Sequence, residues 1–285
     1  MSDAFTPQHL AADIEIVHDV FRDFFAGLTE ADWQRPTEAN GWTLQETVAH
    51  LDAVALGYQR TIEAILANKT FDFDGVTRRE DLPIWNEEQI ALRQQRPIAD
   101  ICNSFLATLQ TAAASAAQRQ TAELGQSHAF PFYNHPITLA ELYGGQAAHP
   151  GLVHAAQVAN GAGIPPLWHQ YTPDLQQRQL SRLLHLMALS YWPERGGDLR
   201  ATVNFVVLKQ ASWQLHLSPE GCEVRRGKGK RPSLTIWFRS LDLLCRALTL
   251  QITPIRAALT GQAFGWGNLP LLFRLEYLFN PTVGL

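Results

Sequence analysis

The chain has 285 residues, 46% of them apolar and 18% charged. These are the proportions of a globular protein of one large or two ordinary domains, not of a disordered or fibrous one. A formal charge of −4 and a pI near 6.2 give no overall electrostatic case for nucleic acid or an anionic membrane as partner. No apolar run approaches the ~20 residues of a membrane span, so no integral membrane association is expected. The start MSDAFTPQHL lacks the charged and apolar regions of a signal peptide. Three widely separated cysteines, Cys102, Cys222 and Cys245, read as reduced thiols of a cytoplasmic protein rather than a disulfide framework or a thiolate zinc site.

The first predicted element runs from TPQHL to about Leu28. Thr6 is its N-cap, Pro7 sits at the first helical position, and Leu10, Ile14, Val17, Phe21 and Phe24 recur at helical spacing. In the second, Thr43 and Glu46 form a Thr-x-x-Glu capping box ahead of Leu44, Val48, Leu51, Ala55, Tyr58 and Ile62. Residues 68–86 read as loop. A third helical region covers NEEQIALRQQ and, after Pro97, continues through IADICNSFLATLQ. A second loop, SHAFPFYNHP, leads to a fourth helix capped by Thr138. Four helices with two long excursions predict a bundle-type domain.

The texture changes at NGAGIPP, the best domain boundary in the chain. One more helix, DLQQRQLSRLLHLMALSYW, precedes four short alternating strands: LRATVNFVVL, SWQLHLS, GCEVRRG and SLTIWFRS. Apolar helices around LDLLCRALTL and TPIRAALTG follow, then QAFGWG and a terminal helix. Grouped strands with helices at their ends predict an α+β domain. The expected division is a bundle over 1–162, a linker over 163–174 and the α+β domain over 175–285. The basic run RRGKGKRP reads as a solvated turn between strands, with an anion or membrane-surface contact as the alternative.

Of ten histidines, three can meet inside the bundle. His50 lies about two turns into the second helix, and His149 and His154 flank Pro150 and Gly151. Converging neutral imidazoles suit zinc or nickel, and burying three of them is costly unless a metal or hydrogen bonds satisfy them. Five residues separate His149 from His154, about 140° on a regular helix, which would not aim both at one ion. Either a bulge at Pro150-Gly151 turns the rings together, or His149 precedes the helix proper. Glu46 is expected to cap rather than ligate. His128 and His135 read as polar loop residues, and His9, His18, His169, His185 and His216 as surface or structural positions.

LTEADWQRPTEANGWTLQETVAHLDAV resembles the start of the second helix in DinB-like proteins. In particular it is similar to the N-terminal domain of mycothiol-dependent maleylpyruvate isomerases, with Trp42-Thr43 followed by a histidine seven positions after the threonine. WNEEQIALRQQRPIADI continues the similarity. The resemblance implies a divalent metal, usually zinc or nickel, on His50 and on two ligands of a later helix. His154-Ala-Ala-Gln157 matches the end of the family's His-x-x-x-His pattern. The residue four before His154 is Pro150, so His149 must serve from a position shifted by one.

LSYWPERGGDLRATVNFVVL, PSLTIWFRSLDLLCRAL and LTGQAFGWGN are similar in order to a sterol-carrier-protein-type domain. This implies a five-stranded sheet with helices and an apolar tunnel. Trp213, Ile236, Trp237, Phe238, Leu272 and Phe273 would line that tunnel, or simply fill a core. Together the resemblances imply a metal-dependent S-transferase or isomerase that uses a low-molecular-weight thiol, of mycothiol or bacillithiol type, on a small organic substrate. The other reading is a non-catalytic protein carrying a lipid-like ligand in its second domain. Relatives of the bundle often pair as homodimers.

Overall fold

A computed structural model describes residues 3–39, 41–71, 73–130, 133 and 135–279. The chain divides into two units between Tyr171 and Thr172.

In the first unit, α1 (Pro7–Ala26) starts as its sequence dictates, with the Thr6 side chain accepting from the His9 backbone N–H. Its apolar stripe buries Leu10, Ile14, Val17 and Phe21 completely. The Thr43–Glu46 capping box opens α2 (Leu44–Leu66). Helices α3 (Leu82–Gln94) and α4 (Ile98–Ala117) follow. The α1–α4 contact is aromatic, with Phe21 meeting Phe105 edge-on at 5.3 Å between centroids. A single turn, α5 (Thr121–Leu124), leads to a short antiparallel pair, β1 (Ser127–His128) and β2 (Ile137–Thr138). A second capping box, Thr138–Glu141, then starts α6 (Leu139–Ala148). A π-helical turn over His149–Val153 joins α6 to α7 (Ala155–Ala162). α3 begins four residues earlier than NEEQ suggests. REDLP has the look of a loop, yet Pro83 occupies the first turn, where its missing N–H costs nothing.

Two contacts fix α2 against its neighbours. The Gln146 side chain of α6 donates to the Ala55 carbonyl of α2 at 2.9 Å. On the other side, Arg93 Nε of α3 donates to the fully buried Asp52 carboxylate at 2.7 Å. Arg93 is steadied by the Gln89 side chain at 2.8 Å. The segment 163–174 includes a 3-10 turn, Leu167–Gln170, with Leu167 and Trp168 buried.

The second unit opens with α8 (Pro173–Leu189), capped by Thr172, and the short α9 (Pro193–Gly196). Its sheet contains β3 (Ala201–Val207), β4 (Ala211–Ser218), β5 (Gly221–Arg226), β6 (Leu234–Phe238) and β7 (Ala263–Gly267). Their order is β5-β4-β3-β6-β7; β3 and β6 run parallel and all other neighbours antiparallel. Between β6 and β7 lie α10 (Leu241–Leu248) and α11 (Pro254–Leu259); α12 (Leu269–Leu278) closes the unit. The expected helical domain followed by an α+β domain with a five-stranded sheet is thus the observed architecture. Strand alternation explains the placement: Trp213, Leu215 and Leu217 of β4 are buried on one face, and Trp213 Nε1 donates to Ser181 of α8 at 2.8 Å. Gly267 ends β7 at φ +103°, where a Cβ would lie 2.4 Å from the Ser233 carbonyl. Among the described residues, no helix is long and apolar enough to cross a membrane.

Breaking a buried ion pair from one side strands the other charge, so Asp52→Ala and Arg93→Ala should each cost about 3 kcal/mol of unfolding free energy. Chemical denaturation of the single and double variants checks this. The double variant should lose clearly less than the sum, whereas additive losses would show that the two side chains are not coupled.

Candidate metal centre

His50 enters the interior from the second turn of α2, and the segment that follows α6 brings up the other two rings. The turn between α6 and α7 is what makes them converge. His154 N–H donates to the His149 carbonyl at 3.1 Å, an i to i+5 bond. A π turn places residues five apart on one side of the helix, where an α turn would separate them by about 140°. Pro150 has no N–H to place in a regular ladder, which favours the wider turn here.

The result is a cluster of three buried imidazoles. Ring centroids are 5.3 Å apart for His50–His149, 5.0 Å for His50–His154 and 4.6 Å for His149–His154. One nitrogen from each ring lies within 4.8 Å of the others. The Nε2 atoms of His149 and His154 are 3.2 Å apart. Two nitrogens bound to one tetrahedral zinc would be about 3.3 Å apart, so this pair already has a ligand-like separation. His50 Nδ1 is buried with no hydrogen-bond partner. An orphaned donor nitrogen and two facing ones form a set that a cation would satisfy; the residues fit a divalent metal.

The surroundings hold the rings in the neutral state that ligation requires. Burial, then the neighbouring His154 ring, drives His50 well below the usual histidine range; the Asn86 side chain opposes this and Arg93 adds to it. His149 is likewise pushed well down by burial and then by the other two rings. Burial brings His154 down to about 4, against a hydrogen bond with Gln157 that favours its charged form. His154 Nδ1 bonds to the Gln157 side-chain oxygen. Donation of the Nδ1 proton to that oxygen leaves the Nε2 lone pair facing the cluster, an outer contact of the kind that orients metal-bound histidines. Trp42 packs against His50 with ring centroids 5.0 Å apart, and its Nε1 donates to Glu87 of α3 at 3.1 Å.

All three histidines singled out by the sequence therefore come together. Glu46 does not join them: it accepts from Thr43 and from Gln94, as a cap that also ties α2 to α3. His128 and His135 lie outside the cluster, each with a buried Nε2 lacking a hydrogen-bond partner. Asn86 and Arg93 carry no sequence signal of their own, because they reach His50 only through the packing of α3 on α2.

The unfolded chain protonates histidines below about pH 6.5, whereas the fold keeps His154 neutral to about 4. The unfolded state therefore binds more protons in that window, and stability of the metal-free protein falls as pH drops through it. Thermal melts from about pH 7.5 to 5 should show a declining midpoint, with a shallower decline in a His50→Gln/His149→Gln/His154→Gln variant. Equal slopes would mean that the rings do not couple folding to protons.

Residues 14–133 match the family model described as the mycothiol maleylpyruvate isomerase N-terminal domain. Among solved structures, the mycothiol-dependent maleylpyruvate isomerase is similar with a TM-score of 0.58 at 9% identity, over 87% of this chain and 91% of that one. A histidine-to-alanine variant of that isomerase matches with the same values. A stereoselective inverting sec-alkylsulfatase from Pseudomonas sp. matches at TM-score 0.32 and 13% identity; the match covers 49% of this chain and 24% of that one. No curated protein matches in sequence. The family match and the shared fold agree with the motif around Trp42 and His50: residues 14–133 of the N-terminal unit are similar to the mycothiol maleylpyruvate isomerase N-terminal domain.

Proposed function

We propose that His50, His149 and His154 hold a divalent ion, zinc or nickel, and that the protein is a thiol-dependent isomerase or S-transferase acting on a small organic substrate. The observation that carries this reading is the buried neutral cluster, with an orphaned nitrogen on His50 and an Nε2 pair at ligand-like separation. The similarity to a mycothiol-dependent isomerase supports a low-molecular-weight thiol as the co-substrate.

A divalent ion with three imidazole ligands and a fourth position free would lower the pKa of a thiol there, supplying a nucleophile near neutral pH. The chain's own residues supply the rest. Burial keeps the three rings unprotonated, so no proton competes for their lone pairs. Gln157 sets the orientation of His154, and Trp42 limits the tilt of His50. The π turn fixes the distance between His149 and His154 by backbone geometry rather than by side-chain freedom. We place the reaction in a reducing cytoplasm, in keeping with three free cysteines. The second unit we read as sterol-carrier-like and as the part that shapes or carries an apolar substrate.

Elemental analysis and native mass spectrometry test the proposal. Chelated protein should take up one equivalent of zinc or nickel and regain thiol-dependent turnover. His50→Ala and His154→Ala should abolish uptake, and Gln157→Ala should weaken it about 10- to 100-fold. No uptake by folded protein, with a bound apolar molecule instead, would replace this reading with that of a carrier.

A further inference from the structure

The basic run between β5 and β6 and the exposed edge of the sheet belong to one surface. The turn lies across one sheet face: Gly229 N–H donates to Asn204 at 3.0 Å, and a Cβ at Gly229 would meet Gln214 and Thr202. These three residues of β3 and β4 share that face with Thr235 and Trp237 of β6 and with Phe264 and Trp266 of β7, as the strand registers require. Toward the edge strand β7 the face is aromatic and becomes open. Trp237 stacks on Phe264 at 4.8 Å, Phe264 is 54% exposed and Trp266 is 76% exposed. The helix α12 is not part of this face, since Leu269 packs at Gly265, whose Cβ position lies on the opposite, Leu234–Ile236 side of the sheet. An apolar surface of this kind on a water-facing protein marks a contact.

Charge identifies the contact. Between residues 221 and 279 the sequence has nine Lys or Arg against three Asp or Glu. Two of those acids are already neutralised, Glu223 by Arg225 at 2.7 Å and Asp242 by Arg246 at 2.9 Å. Lys228, Lys230 and Arg231 of the turn are exposed beside the aromatic strands. A two-fold pairing of this face with a second copy would set like charges against each other. Exposed aromatic side chains, Trp above all, beside Lys and Arg match a bilayer interface with anionic headgroups. A single-stranded nucleic acid stacked on the same rings would leave the vesicles unbound.

We propose that this β6–β7 face and the Lys228–Arg231 turn dock the C-terminal unit peripherally on an anionic lipid surface. Trp266 enters the headgroup layer, with Phe264 beside it, while the basic turn lies against its negative charge.

Co-sedimentation of the full chain with phosphatidylcholine vesicles, with and without phosphatidylglycerol, tests this. Binding should require the anionic lipid and weaken with salt. Lys228→Glu/Lys230→Glu should reduce it by at least about tenfold. Trp266→Ala should also weaken it severalfold, by removing apolar area that enters the bilayer interface. These side chains are exposed, so thermal midpoints should not change, and a variant that melts as the parent does reports on docking alone. No binding, equal binding to neutral vesicles, or unaltered binding by both variants would overturn the proposal. So would light scattering that shows a dimer abolished by Trp266→Ala, which would assign the face to a second copy.

Discussion

Three imidazoles buried at one point are the constraint around which the N-terminal unit is organised. A neutral imidazole has one donor and one acceptor nitrogen. Between the facing Nε2 atoms of His149 and His154 there is room for a single shared proton, and His50 Nδ1 has nothing to bond to. Taken out of water, such nitrogens normally have partners, because leaving them bare costs as much as a lost hydrogen bond. Charging the rings offers no relief, since each would then repel the others in a dry site. A cation with lone pairs directed at it resolves both difficulties at once.

Everything close to the cluster serves its geometry. The Asp52–Arg93 pair lies just beyond His50 on α2 and binds α3 there. The Gln146 contact to Ala55 seats α6 on α2 immediately before the π turn. Trp42 is attached to α3 through Glu87, so the side chain that packs on His50 is itself anchored. A π turn is less favourable than the α turns around it. Its position at Pro150-Gly151, between two of the converging rings, is where a departure from regular helix has a purpose.

Much of this was legible locally. Thr6 with Pro7, Thr43 with Glu46, and Thr138 announce helix starts because capping is decided within four residues. The strands were readable because β4 alternates between half-buried and buried positions from Ser212 onward. The start of α3 was obscured by Pro83, a residue equally at home in a loop and in a first helical turn. The separation of His149 and His154 could be judged wrong for an α turn, but its resolution depended on which of two backbone paths Pro150 takes. Asp52, Arg93 and Asn86 were silent for a different reason: their roles arise where α3 packs on α2, and no periodicity within either helix marks that contact.

The overall charge of −4 also concealed a division that only position reveals. With nine basic and three acidic residues after Gly221, the preceding residues hold 14 Lys or Arg and 24 Asp or Glu. A uniform chain of this charge would be repelled by anionic lipid from every side. Here the repelling charge and the attracting charge lie in different stretches of the sequence, and the basic one includes the exposed Lys228, Lys230 and Arg231. Screening confines both to about 10 Å at moderate salt, which makes the basic turn effective only when the adjacent aromatic strands are themselves at the headgroups. Electrostatics then draws the basic turn to the headgroups, and Trp266 supplies the adhesion that charge alone loses as salt rises.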